Sequence, residues 1–428
     1  MTTKTVNDKA WEELFEKYKL LLQIDKLGYV GIGAKIIKSV REPRLMAKYD
    51  HQKHLPLIFK KNDLTILPIS RSKYIIGKFK AYNEVEYNKS SETYYVNFPF
   101  DIESIDYKNL YSENIALHCA YITGMISNIL QGEAALTISG RMSSGHFDFL
   151  INTFHNNSKQ ITVTNSQVEI DAAFETNNHF AIIEAKIGAV DDFIIRQLYF
   201  PYRLWSSKLK KKVIPILLTF SNDTFSFFTY DFEELIKYNS INLISQKNFI
   251  IGYERITLDD IYGIFKNIKF TSEETIPFPQ ADDFSRVIDL LGLLLETDLS
   301  KEDITQNYDF DVRQTDYYTN AGIYLQIICK NHIYETEEII YSLAESGRKI
   351  MSLSYKNKYL SLVKLILQHK VFHRVLSLYF KKREPPTKED IVKIMKNSSL
   401  YNINAESTYN RRSQTISAWI SWILSLAE

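Results

Sequence analysis

The sequence predicts a soluble α+β protein of several domains, in which a mixed sheet flanked by helices is joined to helical modules. Three observations support this fold class. The chain has 428 residues, which is more than one ordinary hydrophobic core organises. Runs of β-branched and aromatic residues, interrupted by one helical segment, lie between about residues 140 and 232. From residue 285 onward, apolar residues recur at helical spacing and predict an all-helical region.

The composition narrows the class of protein and its compartment. Hydrophobic residues make up 45% of the chain and charged residues 24%, which excludes a disordered or fibrous protein. The two cysteines, Cys119 and Cys329, form neither a zinc-type cluster nor a disulfide framework, as expected in a reducing cytoplasm. The polar amino terminus lacks the apolar core of a signal peptide, and no apolar run is long enough to span a bilayer. We therefore expect a cytoplasmic protein without a membrane partner.

Residues 1–95 are predicted to form an N-terminal module. Two stretches with helical periodicity, "AWEELFEKYKLLLQI" and "GAKIIKSVREPRLMAKYD", precede the strand-like "LTILPISRSKYIIGKFKAY". Helices followed by a hairpin are typical of a winged-helix-like, DNA-binding module. The alternative is a packing extension of the next domain.

Residues 96–270 are predicted to form the mixed α/β domain. Ser112 is a suitable N-cap for the amphipathic stretch "ENIALHCAYITGMISNILQGE". "DDFIIRQLYFPYRLWSSK" predicts a helix that opens with acidic residues, ends near Pro201 or soon after, and crosses over between two strands. Strand composition marks five runs: "FDFLINTF", "VEIDAAFE", "FAIIEAKIG", "KVIPILLTF" and "FSFFTYDF".

A Pro-containing linker over residues 271–284 precedes two C-terminal units, predicted at residues 285–350 and 351–428. The letters "KEDI" occur in both units, at Lys301–Ile304 and within Thr387–Ile391. Each copy follows a long apolar helix and precedes a helix rich in Arg, Gln, Thr and Tyr. This order of elements is that of a winged helix-turn-helix, and it is predicted twice.

Charge is distributed unevenly, although the net charge is only +1. Residues 271–320 hold 12 acidic and 3 basic residues, whereas residues 351–428 hold 13 basic and 5 acidic residues. The basic end is therefore the part expected to dock on phosphates. The predicted base-reading residues lie early in its last helix: Arg411, Arg412, Gln414 and Thr415. The alternative is a basic surface helix without a DNA partner.

Two other stretches are candidate DNA contacts. Arg313 and Gln314 open the third helix of the first C-terminal unit, but its acidic surroundings also fit packing against protein. "GRMSSG", at residues 140–145, is predicted to be a flexible polar loop. Its Arg141, Ser143 and Ser144 either touch a groove of DNA or belong to a simple turn.

The stretch "VEIDAAFETNNHFAIIEAKIG" predicts an antiparallel hairpin with a four-residue loop. In the favoured register, paired residue numbers sum to 355, so that Asp171 faces Glu184 and Glu169 faces Lys186. The residues on the other face are then all apolar, and a shift by one residue would mix the two sets. Opposed Cβ atoms lie roughly 4.5–5.5 Å apart, so the facing carboxylates of Asp171 and Glu184 would repel each other.

A divalent cation would remove this repulsion. Mg²⁺ prefers oxygen ligands, which makes Asp171 and Glu184 the predicted ligands and the Ala185 carbonyl a third. Lys186 on the same face would stabilise charge on a phosphate and orient or deprotonate a water. Glu169 is either another ligand or the partner of Lys186. The alternative for the whole set is a solvated strand face, although such clusters tend to mark functional sites.

These residues resemble a known signature. Asp171, twelve intervening residues and Glu184-Ala185-Lys186 look like the PD-(D/E)XK nuclease motif, with Ile170 in the place of its proline. "RQLYFPYR", with Gln197, is similar to the glutamine-tyrosine element that follows the motif in many such nucleases. The wider chain resembles a family of type II restriction endonucleases in several stretches: "EPRLMAKYD", "LTILPISRSKYIIG", "GRMSSGHFDF", "PFPQADDFSRVIDLL", "VRQTDYYTNAGIYL" and "RRSQTISAWISWI".

The resemblance implies Mg²⁺-dependent, sequence-specific hydrolysis of double-stranded DNA, with 5′-phosphate and 3′-hydroxyl ends, within a restriction-modification system. Gln197 would orient Lys186 or the water, and the preceding helix would add an acid, either Glu113 or Glu133. Cleavage of both strands implies a homodimer.

The chain shows no methyltransferase motif, so the cognate DNA methyltransferase would be a separate protein. It also has no Gly-rich phosphate loop followed by Lys and Ser or Thr, which argues against ATP-driven translocation. The alternatives are a non-catalytic, sequence-specific DNA-binding regulator with a nuclease-like core, and a structure-specific DNA repair nuclease.

Overall fold

The computed structural model describes most of the chain as an α+β protein. The described residues are 4–88, 90–99, 101–110, 112–155, 157–252, 255–272, 276–307, 312–333, 338–398 and 400–427. They divide into two compact units. The first unit comprises Met1–Tyr94, Gly124–Phe220 and Phe225–Phe249, and the second comprises Tyr95–Thr123, Ser221–Thr224 and Ile250–Glu428. Among the described residues, no helix is both long and apolar enough to cross a membrane.

The first unit begins with helices and a small sheet over residues 4–80, which we call the N-terminal module. A capping box starts its first helix: the Thr5 hydroxyl accepts the Asp8 N–H, and the Asp8 carboxylate accepts the Thr5 N–H. Trp11 packs edge-on against Phe59, with ring centroids 4.9 Å apart, at the centre of the module's core. The elements are α1 (Val6–Lys17), α2 (Leu20–Leu27), β1 (Tyr29–Gly33), α3 (Ala34–Lys38), α4 (Pro43–Ala47), a 3-10 helix (Gln52–His54), α5 (Leu57–Lys61), β2 (Thr65–Ser70) and β3 (Lys73–Gly77). The strands form a sheet of order β1-β3-β2, so the predicted helices and hairpin are present.

A mixed seven-stranded sheet follows. Its elements and neighbours along the chain are β4 (Tyr82–Glu84), β5 (Thr93–Val96), α6 (Glu113–Ile122), α7 (Met125–Leu130), β6 (Ala135–Ser143), β7 (His146–Asn152), β8 (Ser158–Thr164), β9 (Gln167–Glu175), β10 (His179–Ile187), β11 (Asp192–Ile194), α8 (Arg196–Ser206), β12 (Lys212–Ser221), β13 (Thr224–Phe232) and β14 (Ile241–Ile251). The sheet order is β5-β14-β13-β12-β10-β9-β6. β10 and β12 are parallel neighbours, and such a pair requires a crossover connection. Helix α8 supplies it, as the sequence predicts.

The start of the crossover helix differs from the prediction. Asp192–Ile194 form strand β11, which pairs with β4, and the helix begins only at Arg196. The acidic residues therefore precede the helix, because Asp192 is paired with Glu84 of β4 in a strand. Pro201 lies inside α8, which continues to Ser206.

The second unit contains the C-terminal elements. These are α9 (Leu258–Asn267), α10 (Phe284–Glu296), β15 (Leu299–Ser300), α11 (Lys301–Asn307), α12 (Val312–Tyr324), β16 (Ile328–Ile333), β17 (Glu338–Leu343), α13 (Glu345–Met351), α14 (Tyr355–Gln368), α15 (Lys370–Lys382), α16 (Lys388–Lys396) and α17 (Glu406–Ser425). The prediction of an all-helical region is wrong for residues 285–350, because β15, β17 and β16 form a sheet. Over the described residues 351–398 and 400–427 there are only helices, so the wing predicted for the second unit is not found there. The later part of α17 instead buries Trp419, Ile420 and Ile423.

The repeated "KEDI" letters begin a helix in both places. Ser300 exchanges hydrogen bonds with Asp303, and Thr387 exchanges them with Asp390. In each case a hydroxyl residue precedes the helix and an acid three positions later completes a capping box. The repeat is therefore explained by a local helix-start signal.

The predicted linker is packed into the core of its unit. Its described residues 276–283 form neither helix nor strand. Phe278 nevertheless stacks on Phe372 with centroids 5.7 Å apart, and the Ala281 carbonyl accepts the Trp419 indole N–H at 2.7 Å. This segment is not a free spacer.

Asp289 of α10 is a half-buried carboxyl whose ionisation lowers the stability of the second unit. It accepts hydrogen bonds from the Ser221 hydroxyl at 2.7 Å and the Asn222 N–H at 3.0 Å. Burial nevertheless raises its pKa from 3.8 to about 7. Because the folded pKa exceeds the unfolded one, the folded state binds the proton more tightly. The stabilisation that proton binding at Asp289 gives the folded state is fully present below about pH 4. It is lost as the pH rises to about 7.

We expect Asp289→Asn to stabilise the protein at pH 8 and to have a smaller effect at pH 5. The amide keeps an oxygen for both donors but carries no charge. One pKa unit corresponds to about 1.4 kcal/mol. Even part of the Asp289 shift therefore raises the free energy of unfolding of the variant at pH 8 by about 2 kcal/mol, or its Tm by ~5 °C. Calorimetry from pH 5 to pH 8 measures this, with Glu296→Gln at the exposed end of α10 as the control. A gain independent of pH would contradict the role of charge.

Candidate active site

The two strands of the predicted hairpin separate at the position of the acidic residues. The ladder between β9 and β10 runs from Phe180↔Glu175 to Ile183↔Ala172, which confirms the predicted register over these pairs. On its other edge β9 is paired with β6 from Glu175 to Gln167, and on its other edge β10 is paired with β12 from His179 to Ile187. Among the described residues the β9–β10 ladder thus ends one position before Asp171 and Glu184, so these two residues face each other without the backbone pairing of a continued ladder.

Asp171 contacts the backbone of the neighbouring strand. Its Oδ2 atom accepts a hydrogen bond from the Ala185 N–H at 2.9 Å. A carboxylate thus takes the place of the main-chain acceptor that a continued ladder would supply. This contact fixes Asp171 beside the strand that carries Glu184 and Lys186.

Glu184 and Lys186 form a buried ion pair. The Lys186 Nζ lies 2.7 Å from Glu184 Oε1, and the side chains are 10% and 9% exposed. Alternation along β10 places both on the same face. Gln197, in the first turn of α8, donates its amide to the same Glu184 oxygen. The structure therefore brings the three predicted residues together, and Gln197 donates to Glu184.

The charge state of Glu184 depends on its crowded surroundings. Burial raises its pKa from 4.5 to about 7, against the opposing effect of the Lys186 ammonium. The negative charges of Asp171 and Asp50 raise it further. Glu184 thus interacts with the carboxylates of Asp171 and Asp50 and with the Lys186 ammonium, and we call these three carboxylates the acidic cluster.

Asp50, a residue that sequence reasoning missed, comes from the N-terminal module. Its carbonyl accepts the Ile194 N–H at 2.9 Å, and the Asp192 carboxylate accepts the N–H of the nearby Gln52. Burial by itself would raise the pKa of Asp50, but the charges of Lys186 and of other cations lower it. Its Oδ1 atom is buried without a hydrogen-bond partner among the described residues. No local sequence signal marks Asp50, because its proximity depends on docking against β11.

Arg196 is a second residue that the sequence did not single out. It precedes Gln197 in α8, is half-buried, and its Nε atom has no hydrogen-bond partner among the described residues. Its positive charge lowers the pKa of Asp50 and opposes the burial that raises the pKa of Tyr74. Arg196 therefore lies near both Asp50 and Tyr74 of β3.

Glu169 belongs to a different ion pair. β9 places it opposite Arg141 of β6, and Arg141 Nε lies 3.0 Å from its carboxylate. The predicted pairing of Glu169 with Lys186 is therefore wrong, because the β9–β10 ladder ends at Ala172 and Glu169 lies opposite Arg141 of β6. Both side chains of this pair are about half exposed, so the pair is a surface feature.

The two alternative acids are not in the cluster's strands. Glu133 is exposed and precedes β6, whose Ala135 is paired with Glu175 near the hairpin loop. Asp171 is four residues farther along β9, or roughly 13 Å at 3.3 Å per residue. Glu133 is therefore too far from Asp171 to share an ion. Glu113 opens α6 and belongs to the second unit.

The predicted base-reading residues differ in how far their side chains are exposed to solvent. Arg411 and Gln414 are exposed on α17, and Arg412 is half-buried. Thr415 is completely buried and donates its hydroxyl to Asp282 at 2.6 Å. Its predicted role at a base edge is therefore wrong, since the side chain is used in packing. On α12, Arg313 is exposed and Gln314 is half-buried.

Most of the "GRMSSG" stretch is a strand and not a loop. β6 continues to Ser143, whose hydroxyl donates to Asn165 Oδ1 at 3.0 Å. Ser144 is buried and accepts the Ser166 N–H at 2.9 Å. The predicted flexible loop is wrong for these residues, and of the three candidates only Arg141 is exposed.

Three family models match successive parts of the chain, and each is described as a domain of unknown function. DUF6996 matches residues 8–76, DUF6997 matches residues 77–250, and DUF7226 matches residues 286–428. No curated protein and no solved structure matches the chain. Asp50 lies in the first matched region, whereas Asp171, Glu184 and Lys186 lie in the second. The acidic cluster is thus assembled from two matched domains.

Proposed function

We propose that the chain is a Mg²⁺-dependent endonuclease that hydrolyses phosphodiester bonds of double-stranded DNA at a specific sequence. This is the activity of the type II restriction endonucleases of the PD-(D/E)XK superfamily that the sequence resembles. The observation that carries the proposal is the end of the β9–β10 ladder. There Asp171 is fixed to the Ala185 N–H beside the buried pair of Glu184 and Lys186.

The available donor atoms fit a hard divalent cation. No group of three or more His, Cys, Asp or Glu side chains among the described residues is already arranged to hold an ion. However, Asp50 Oδ1 and Gln197 Oε1 are buried oxygen atoms that have no hydrogen-bond partner in the described part of the chain. Asp171, Glu184 and the Ala185 carbonyl would hold the ion, and Asp50 would add a further carboxylate. Such a cation would neutralise the carboxylates and draw charge from phosphate oxygens.

The side chains around the ion have distinct roles. Lys186 would stabilise the negative charge that develops on the phosphate, because an ammonium group acts strongly in a buried site. Gln197 would keep the Glu184 carboxylate oriented through the hydrogen bond that it already makes. The Asp171 hydrogen bond to Ala185 would hold the two strands in a fixed relation.

We assign the DNA-reading roles to three regions: the N-terminal module, residues 284–343 and helix α17. The N-terminal module and residues 284–343 each have helices followed by a hairpin, as winged-helix modules do. Arg411 and Gln414 on the exposed face of α17 would contact base edges in the major groove. The enzyme would act as a cytoplasmic homodimer, and a separate methyltransferase would protect the host DNA.

A single experiment tests the activity. Purified protein is incubated with phage DNA and Mg²⁺, and the fragment ends are sequenced. Discrete 5′-phosphate ends at one short motif support the proposal. Ends confined to branched or mismatched substrates would instead favour a repair nuclease.

A DNA-binding regulator is the second candidate. The tight contacts of Lys186 and Gln197 on Glu184 favour it, since these groups satisfy one another without a substrate. DNA that stays intact at every Mg²⁺ or Mn²⁺ concentration, but is bound at one sequence, would support this function.

Asp50→Asn should lower the cleavage rate about 10- to 100-fold, a typical loss for a group that supports a metal site. The amide keeps the shape of the side chain but removes one negative charge beside the ion. Rates measured over a series of Mg²⁺ concentrations should show a higher Mg²⁺ requirement. Asp63→Asn, at an exposed position of the same module, should behave like the wild type. An unchanged Mg²⁺ profile for Asp50→Asn would show that Asp50 does not support the ion.

A further inference from the structure

We propose that four cations at one end of the N-terminal module bind the sugar-phosphate backbone of duplex DNA and guide it to the acidic cluster. The four residues, which we call the cationic tip, are Lys35, Lys38, Arg71 and Lys73. The inference takes its substrate class from the proposed function, and it assigns to this module the contact that positions DNA.

The N-terminal module is strongly basic. Residues 1–80 contain 17 basic and 8 acidic residues, a net charge of +9. Within residues 26–49 there are six basic residues and one acidic residue. The net charge of +9 over residues 1–80 is close to the +8 of residues 351–428, a separate part of the chain. A surface of this charge attracts a polyanion such as duplex DNA.

The fold brings the four cations together. Arg71 and Ser72 form the turn between β2 and β3, where Ser70 is paired with Lys73. The Ser72 carbonyl accepts the Ala34 N–H at 2.8 Å, so the first residue of α3 is held against this turn. Lys35 and Lys38 follow in α3, three residues apart, and therefore share a face of the helix. The hairpin turn and α3 thus present one common patch.

The side chains of the cationic tip are available for a ligand. All four are exposed, and none forms an ion pair with an acidic side chain among the described residues. Other lysines of the region differ, since Lys53 contacts Asp191 and Lys78 lies 3.9 Å from Asp25. Unpaired cations are the ones that gain most from phosphate, because they give up no protein partner.

The same module borders the acidic cluster. Tyr74 follows Lys73 in β3 and lies close enough to Arg196 for the guanidinium charge to affect its pKa. Asp50, from the segment after α4, interacts with Lys186. Its backbone is hydrogen-bonded to Ile194 at the strand before α8. The module that carries the cationic tip therefore also contributes Asp50 to the acidic cluster.

The test measures binding separately from cleavage. A fluorescein-labelled duplex is titrated with protein in EDTA by anisotropy, over a range of salt concentrations. For Arg71→Ala with Lys73→Ala, we expect Kd to rise about tenfold near 100 mM salt and the salt slope to fall by about 2. Lys35→Glu with Lys38→Glu should weaken binding further. The charge-matched control is Lys9→Ala with Lys17→Ala on α1, both exposed, which should change Kd less than about threefold.

The outcomes separate this inference from the proposed function. If the wild type cuts DNA and the tip variants bind like the control, the cationic tip is wrong and the nuclease stands. If the wild type binds duplex without cutting and the tip variants lose binding, the tip stands and the nuclease fails. A wild type that binds no duplex overturns both. Thermal unfolding of each variant shows whether a loss of binding comes from loss of the fold.

Discussion

Lys186→Ala is expected to lower the rate of DNA cleavage by about 10²–10³-fold and to leave DNA affinity in EDTA nearly unchanged. The ammonium group is buried beside Glu184, where it would stabilise charge on the phosphate in the transition state more than in the bound substrate. Losing such a group reduces kcat and leaves binding largely intact. Single-turnover cleavage with saturating enzyme, together with anisotropy in EDTA, separates the two effects.

The substitution also removes the partner of a buried carboxylate, so its effect on folding requires a check. Lys186→Met fills the same volume without the charge, and its Tm shows whether the fold survives. Lys212→Ala is the matched control, because Lys212 is exposed on the neighbouring strand β12 and paired with Asp231 at 3.6 Å. Cleavage by Lys186→Met at near the wild-type rate would show that the catalytic site lies elsewhere.

Asp171→Asn should reduce cleavage by about 10²–10³-fold, whereas Glu169→Gln should stay within about threefold of the wild type. Asparagine keeps an oxygen that can accept the Ala185 N–H, so the variant tests charge and not geometry. Glu169, two residues away, lies on the surface against Arg141, where an ion pair contributes little.

The measurement is the Mg²⁺-dependent cleavage rate of both variants under the same conditions. Equal losses for the two variants would mean that Glu169 is a ligand after all, which would require β9 to shift towards β10. Full activity of Asp171→Asn would remove the central carboxylate from the proposed site.

The hairpin register was predictable because it depends on alternation. Apolar residues at every second position had to face the core, and only one pairing of the two strands achieves this for both. The observed pairs from Phe180↔Glu175 to Ile183↔Ala172 follow that register. The starts of α11 and α16 were predictable for a similar reason, because capping by Ser300 and Thr387 involves residues only three positions apart.

Other features could not be inferred from local patterns. The strands of residues 299–343 were missed because "IICKNHIY" does not alternate clearly between apolar and polar residues. Thr415 was assigned to DNA because a polar residue early in a basic helix usually faces outward. In the structure it is buried and donates its hydroxyl to Asp282, which lies 133 residues earlier in the chain.

The sequence by itself determined which side chains share a face of β10 and where the helices begin. These properties depend on residues two to four positions apart, which the chain brings together in any fold. The tertiary structure decided that the β9–β10 ladder ends at Ala172 and that β6 pairs with the other edge of β9, where Arg141 meets Glu169. It also decided that Asp50 approaches Lys186. Such choices depend on which distant segments pack together, and packing is decided by the shape and burial of whole elements rather than by any short pattern.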